Sequence, residues 1–385
     1  MYTEEFYANP HPTYARLRAE APVNRVRDPN GLEYWLVSRY DEARAALADE
    51  RLSKDPRRAW DALRAAGMVS GEPGEATFDL HSTDPPDHTR LRALVAKGFT
   101  AGRVERLRPR VGEIAADLLS SLAGRESADL VEEFAYPLSL TVIAELLGVP
   151  VADRDRFRAW TMAAITPAYV AGSGMSREEA GRLLRSYAEE LVAAKRPGED
   201  DLLSALIAAR DEERRLTTTE IVVLTQQLLF AGHEPSTNLI GNALAALLTR
   251  PEERALLRDR PELLPRALEE LLRYDGPTVR ASPRYATEDL ELGGVRIPAG
   301  SVVVVGLAAA NRDPSRFADP DRLDLARADN PHLAFGHGIH RCLGAPLARA
   351  EAEIAIGMLL RQFPGLTLAC PAEELTWLPH PVFAA

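Results

Sequence analysis

The stretch Phe335-Gly336-His337-Gly338-Ile339-His340-Arg341-Cys342-Leu343-Gly344 constrains this chain more than any other. Its glycines admit left-handed backbone and let the chain approach a flat ligand closely. An alanine- and leucine-rich run, Ala345 to Phe363, follows and reads as a helix. Cys342 therefore sits near a helix N-terminus, where the positive end of the dipole favours thiolate over thiol. The ordinary fate of a lone cysteine is to be buried and inert. That reading suits Cys370, in Leu366-Thr367-Leu368-Ala369-Cys370-Pro371, and does not suit Cys342 in its glycine loop.

A thiolate is a strong axial ligand for haem iron and favours O–O cleavage. The loop resembles the haem-ligand loop of the cytochromes P450, F-G-x-G-x-H-x-C-x-G, with every fixed position met. The resemblance implies haem b with Cys342 as its proximal ligand. It places Phe335 and Gly336 in the cofactor-binding loop and His340 on a haem propionate. The implied fold is mainly α with a small β portion, a single large domain spanning 1–385 with a long distal helix over the haem.

Bulk properties agree with that fold. The chain has 385 residues, enough for two average domains or one large one. Hydrophobic residues make up 46% and charged residues 27%, a globular balance with ample core material. Two cysteines cannot build a disulfide framework, so a reducing cytoplasm is the expected location. The opening residues, Met1-Tyr2-Thr3-Glu4-Glu5-Phe6-Tyr7, lack the basic and apolar regions of a signal peptide. No apolar run approaches the ~20 residues of a membrane helix, so no membrane contact is expected. With 46 basic against 57 acidic residues the net charge is −11, which argues against nucleic acid as a partner.

Basic residues nevertheless cluster: Arg90, Arg92 and Lys97, then Arg103, Arg106, Arg108 and Arg110, with Arg341 and Arg349 flanking the cysteine. In the resembled fold these share the proximal face. A basic face on an acidic protein suits docking of an acidic ferredoxin or flavodoxin, fed by its NAD(P)H-dependent reductase. The plainer reading is a solvated, arginine-rich helix surface.

The first forty residues read as turns and short strands, including Tyr34 to Ser38, before a short helix from Asp41 to Asp49. Ser53 to Asp87 reads as a long loop with one helical stretch, Pro56 to Ala66. By resemblance that loop caps the substrate pocket. His88 to Arg273 has mostly helical spacing. Strands are expected at Arg284 to Thr287, Leu290 to Leu292 and Ser301 to Val305, with a further pair after Thr367.

Further segments resemble the family's. Glu270 and Arg273 stand three apart on a helix and can pair. With Arg322, from Phe317-Ala318-Asp319-Pro320-Asp321-Arg322, they resemble its structural Glu–Arg–Arg triad. Asp84-Pro85-Pro86-Asp87-His88-Thr89-Arg90-Leu91-Arg92 resembles the segment presenting His88 and Arg92 to the propionates. Arg284 matches another propionate-binding arginine. Buried carboxylates require such partners.

The longest helical segment, Leu216 to Arg250, has a capping box at Thr217 and Glu220. Its middle, Ala231-Gly232-His233-Glu234-Pro235-Ser236, resembles the family's A-G-x-[DE]-T distal signature. Ala231 and Gly232 would leave room for dioxygen, and Glu234 takes the acid position in the proton path. Pro235 replaces the expected threonine, whose hydroxyl holds a water and helps deliver protons for O–O cleavage. Proline lacks both hydroxyl and N–H and clashes with the carbonyl four residues earlier. Either Pro235 only stabilises an existing opening in the helix, or Ser236 replaces the alcohol, or a substrate hydroxyl does, or the reaction needs less proton delivery.

Val279 and Arg280 fall in the segment that lines the pocket in the family. An arginine there needs an anion, from a propionate or a substrate carboxylate. The expected activity is that of a soluble, actinobacterial-type haem-thiolate monooxygenase. It would hydroxylate or epoxidise a small organic molecule, a secondary metabolite, with dioxygen and two electrons. The alternative suggested by Pro235 is oxidative cyclisation or coupling without oxygen insertion. A peroxide-driven enzyme and a non-catalytic, degenerate member fit the motifs less well.

Overall fold

Apolar periodicity at helical spacing dominates the middle of the chain, and the computed structural model follows it. The structure describes residues 1–69, 71–73, 79–150, 153–165, 174–195, 198–211, 216–375 and 377. The first third contains α1 (Glu4–Ala8), α2 (His11–Glu20), β1 (Val23–Arg27), β2 (Glu33–Val37), α3 (Tyr40–Ala48), β3 (Leu52–Ser53), α4 (Trp60–Ala65), α5 (Asp87–Val95) and α6 (Ala101–Leu122). Helices then continue as α7 (Tyr136–Leu147), α8 (Arg154–Ile165), α9 (Arg177–Ala194), α10 (Leu202–Asp211), α11 (Thr218–Ala231), α12 (Glu234–Leu248), α13 (Pro251–Asp259) and α14 (Leu264–Asp275). The last part holds β4 (Arg284–Ala286), β5 (Leu290–Leu292), β6 (Val295–Ile297), β7 (Val302–Val305), α15 (Leu307–Ala310) and α16 (Ala345–Gln362).

Helices α12, α14 and α16 pack on one another, with α6 and α7 on their flanks. Ile240, Leu247, Leu268, Ala355, Ile356 and Leu359, each at most 0% exposed, make their common core. Beside this bundle a five-stranded sheet runs in the order β1-β2-β7-β4-β3. β7 pairs parallel with β2 and antiparallel with β4, so strands from the two ends of the chain interleave. All four residues of β7 are buried, as a central strand covered on both faces requires. Among the described residues, no helix is long and apolar enough to cross a membrane.

Several expectations need correction. The first twenty residues form α1 and α2 rather than strands, with Thr3 capping α1. The helical stretch expected over 56–66 is present, as a 3-10 turn capped by Asp55 and opened by Pro56, followed by α4. The expected single helix over 216–250 is two helices, broken at Gly232 and His233. Past Thr367 the described residues form a 3-10 turn, Ala372–Glu374, and no strand. The rest of that tail lies outside the described residues, as does most of the stretch 163–175.

Glu270 and Arg273 do pair, and wholly out of solvent: both side chains are 0% exposed. Arg273 Nε and Nη2 donate to the two carboxylate oxygens at 2.7 and 2.8 Å, the bidentate geometry that repays burial. The third arginine is not Arg322. Its side chain is exposed, and only its carbonyl accepts from Arg273, at 3.1 Å. Arg327 Nε instead donates to Glu270 Oε2 at 3.0 Å, joined by Asn330 Nδ2 at 3.1 Å. The two arginines lie five apart in one irregular stretch, and only the chain path decides which turns inward. Arg327→Met should therefore cost about 2 kcal/mol in equilibrium denaturation, a lost hydrogen bond to a charged group. Arg322→Met should stay within about 0.5 kcal/mol of the parent.

Candidate active site

Cys342 ends a loop fixed by its own backbone. Gly336 N donates to Leu333 O, Arg341 N to Gly338 O, and Cys342 N to Phe335 O at 2.9 Å. Gly336 has φ +71 and Gly338 φ +75, values that favour glycine. At Gly338 a Cβ would also meet the backbone of Leu47 at 2.7 Å, whereas beside Gly336 there is open space. Burial pushes the Cys342 thiol up, opposed by the N–H groups of Gly344 and Ala345 and by Arg92. Burial outweighs the helix terminus here, and a bound metal ion would favour the thiolate. Yet the cysteine surface is open. A residue deep among protein atoms and still open lines an internal cleft.

Cationic groups crowd the wall of that cleft. The His88 ring lies tilted against His340 with centroids 4.1 Å apart, and His88 Nε2 is buried without a hydrogen-bond partner among the described residues. Arg92, on α5, donates from Nη2 to Arg341 O at 2.6 Å, beside the cysteine. Arg284 is buried at the start of β4, with a 3.3 Å bond to Leu47 O, and burial pushes its guanidinium down to about 10. Burial, then His88, Lys54, Arg284 and His81, hold His340 down at about 2. Lys54 and His81 gave no sequence signal, since neither belongs to a motif. Two guanidinium groups and two imidazoles gathered beside one cysteine suit an anionic ligand.

The distal helix opens at Gly232 and His233. Pro235 stands in the first turn of α12, where a missing N–H costs nothing because first-turn donors have no helical acceptor. Thr237 N donates to His233 O at 2.9 Å and starts the second helix. Gly232 serves packing rather than ligand space: a Cβ there would meet Ile143 of α7 at 2.4 Å. Ala231 is half-buried at the end of α11. His233 is wholly buried, its ring edge-on to Tyr136 and Phe157. Its Nδ1 must donate to Leu229 O at 2.7 Å, because a carbonyl only accepts. Its Nε2 stands 3.3 Å from Glu234 Oε1. His233 Nε2, Glu234 Oε1 and Thr237 Oγ1 are buried and, among the described residues, lack a hydrogen bond, a polar cluster suited to ordered water.

Two expected residues turn elsewhere. Ser236 is buried against Glu351 of α16, beside Ser139 of α7, and so does not replace the missing alcohol. Arg280 points away from the cleft into an aromatic box. Its guanidinium lies 4.9 Å from the Tyr2 ring, 5.4 Å from Phe6 and 5.8 Å from Tyr14. It donates to the hydroxyls of Tyr2, Tyr14 and Tyr34. Its charge is met by phenol dipoles and ring faces rather than an anion. Val279, one residue earlier, is buried, and its carbonyl accepts from Ala308 N at 3.1 Å.

A family model described as "Cytochrome P450" matches residues 177–368. The cytochrome P450 monooxygenase PikC of Streptomyces venezuelae is 48% identical over 384 residues, covering 98% of this chain and 90% of that protein. The chain belongs to the cytochrome P450 family. The mycinamicin IV hydroxylase/epoxidase of Micromonospora griseorubida is 46% identical over 368 residues, covering 94% and 90%. The crystal structure of the myxobacterial P450 CYP267B1 with myristic acid superposes with a TM-score of 0.94 at 40% identity, covering 100% of this chain and 96% of that one.

This P450 is thus a monooxygenase that carries haem iron on a cysteine thiolate and draws electrons from NAD(P)H through redox partners. The residues fit that group: the open Cys342 thiol would hold the iron, and the buried cations with the orphaned His88 Nε2 would hold the propionates. Haem supplies the activation of dioxygen; the chain supplies the anchoring, the polar pocket at the helix break and the exclusion of bulk water.

Glu351 is the most deeply buried acid near the break, and burial pushes it up to about 8, against the lowering effect of Ser236 and Ser139. An unfolded glutamate titrates near ~4.3. A raised folded-state value means that the stability tied to this group is full below ~4.3 and is lost as pH rises through 8. Glu351→Gln should remove that decline. Its melting temperature relative to the parent should be higher at pH 8 than at pH 5, measured by thermal scans of both proteins.

Proposed function

We propose that this P450 hydroxylates or epoxidises a small secondary metabolite in the cytoplasm, with Cys342 as the proximal ligand. His88, Arg92, Arg284 and His340 hold the propionates, and Phe335 and Gly336 lie in the cofactor loop. The observation that carries this reading is the meeting, around one open cysteine, of the buried Arg284 guanidinium, Arg92 and the paired His88 and His340 rings, with His88 Nε2 lacking a hydrogen bond among the described residues. The names of PikC and of the mycinamicin enzyme support oxygen insertion and a natural-product substrate over oxidative coupling. Pro235 fits the opened helix without strain and supplies no hydroxyl. The proton route therefore runs through Glu234 and ordered water, completed by the substrate. Ala231 and Val279 contribute apolar surface to the pocket.

The redox partner we propose is an acidic ferredoxin or flavodoxin, with its reductase, on the proximal face. Most arginines of the basic clusters are already engaged: Arg90 with Glu220, Arg103 with Asp200, Arg108 with Glu353, Arg110 with Glu145 and Arg349 with Glu269. Lys97, Arg106 and Arg341 are exposed and, among the described residues, form no ion pair. These three carry the field that a partner meets.

Turnover under labelled dioxygen, with surrogate ferredoxin and reductase, should add one labelled oxygen to the product. Loss of two hydrogens without label would establish coupling instead. Cys342→Ser should lose the red-shifted thiolate band of the ferrous–carbon monoxide complex. Lys97→Glu and Arg106→Glu should each slow reduction by ferredoxin about 10-fold at low salt. The carbon monoxide spectrum should stay unchanged, and the difference from the parent should shrink as salt is added.

A further inference from the structure

Lys54 follows β3 and is 3% exposed, an uncommon position for lysine. Its Nζ donates to Ser282 O at 3.0 Å, Ser282 Oγ at 2.6 Å and Pro283 O at 2.7 Å. An ammonium has three protons, so all are used, on neutral acceptors, and none remains for a direct bond to a ligand. The carbonyls it grips belong to the two residues immediately before Arg284. The Arg284 backbone pairs with Val303 of β7, and among the described residues its side chain has one long bond, 3.3 Å to Leu47 O.

The same dipeptide reaches a second arm. Lys54 N donates to Asp84 Oδ1 at 2.8 Å, and Ser53 Oγ bonds Asp84 Oδ2. Asp84 opens the turn into α5, which carries His88 and Arg92, and its carbonyl accepts from His88 N at 3.0 Å. Ser53 and Lys54 thus join the segment ahead of Arg284 to the segment ahead of His88 and Arg92. These two arms supply the cations of the cleft apart from His340. Burial, reinforced by neighbouring Arg284, drives the ammonium well below its ordinary range, against the opposing pull of Asp79 and Asp84.

We infer that Lys54 is a positioning residue for the haem: its grip on Ser282 and Pro283 fixes Arg284, and its link through Asp84 fixes His88 and Arg92 against the propionates. This rests on the propionate reading proposed above. Residues behind a metal or cofactor ligand are commonly worth 10–100-fold in affinity.

The test is the rate of haem transfer from holoprotein to excess apomyoglobin, followed at the Soret band. Lys54→Met and Arg284→Leu should each accelerate release about 10-fold or more. The double variant should release no faster than Arg284→Leu alone, because Lys54→Met keeps the backbone bond to Asp84 and both changes then act through one guanidinium. A wild-type rate for Lys54→Met beside fast release from Arg284→Leu overturns the role of Lys54 and leaves the propionate reading standing. Multiplying effects in the double variant also overturn it, since they mark two independent contacts. A wild-type rate for Arg284→Leu overturns the propionate reading, and the inference falls with it. Should Lys54→Met not accumulate as holoprotein, Ser282→Ala removes one acceptor at an exposed residue. It should release haem about 3-fold faster, and an unchanged rate counts against the proposal.

Discussion

The buried carboxylate of Glu270 is the fixed point on which the rest is hung. It accepts from both arms of Arg273, from Arg327, from Asn330 and from the backbone N of Asp324. Arg273 in turn donates to the carbonyls of Asn311, Pro320 and Arg322. An irregular stretch of about twenty residues has few ladder hydrogen bonds of its own. Charged side chains from one helix supply them instead. That stretch leads directly into the cysteine loop, so the position of Cys342 depends on a salt bridge far from any chemistry. Glu269, the next residue along, binds Arg349 and His332 and extends the same hold to α16.

Polar groups in this core are arranged by what they lack as much as by what they touch. Around the cysteine cleft the surplus is positive, and it calls for an anionic ligand. At the helix break the orphaned atoms of His233, Glu234 and Thr237 are small in number and mixed in sign, and they suit water. The aromatic box around Arg280 solves the same problem a third way, with ring faces and phenol oxygens. Each arrangement would be costly if left unsatisfied, which is why each marks a place where something specific sits.

The haem loop, the capping box at Thr217 and the Glu270–Arg273 spacing were legible because each is local: their partners lie within a few residues. Cys342 and His340 could be placed from the glycines that flank them. What escaped was set by long-range geometry. Arg280 resembled a pocket residue because the aromatic side chains that claim it come from Tyr2, Phe6, Tyr14 and Tyr34, more than two hundred residues earlier. Arg322 and Arg327 are equivalent by spacing, and only the fold of the stretch around them separates the two. Lys54 carries no motif, and its three acceptors lie beyond residue 280. The helical start of the chain was missed because α1 and α2 are short and held by tertiary contacts rather than by their own periodicity.

The interleaved sheet sets an order of events in synthesis. β2 is made early with β1 on one side but needs β7 on the other, and Tyr2 needs Arg280, so that edge of β2 stays open until residue 305 has left the ribosome. During that interval Tyr34, Leu36 and Val37, all buried in the finished protein, are exposed on an unfinished edge. Haem cannot be retained until later still, because Cys342 follows β7 in the chain. Cofactor capture in this chain is a late step, and the nascent strand is the vulnerable one.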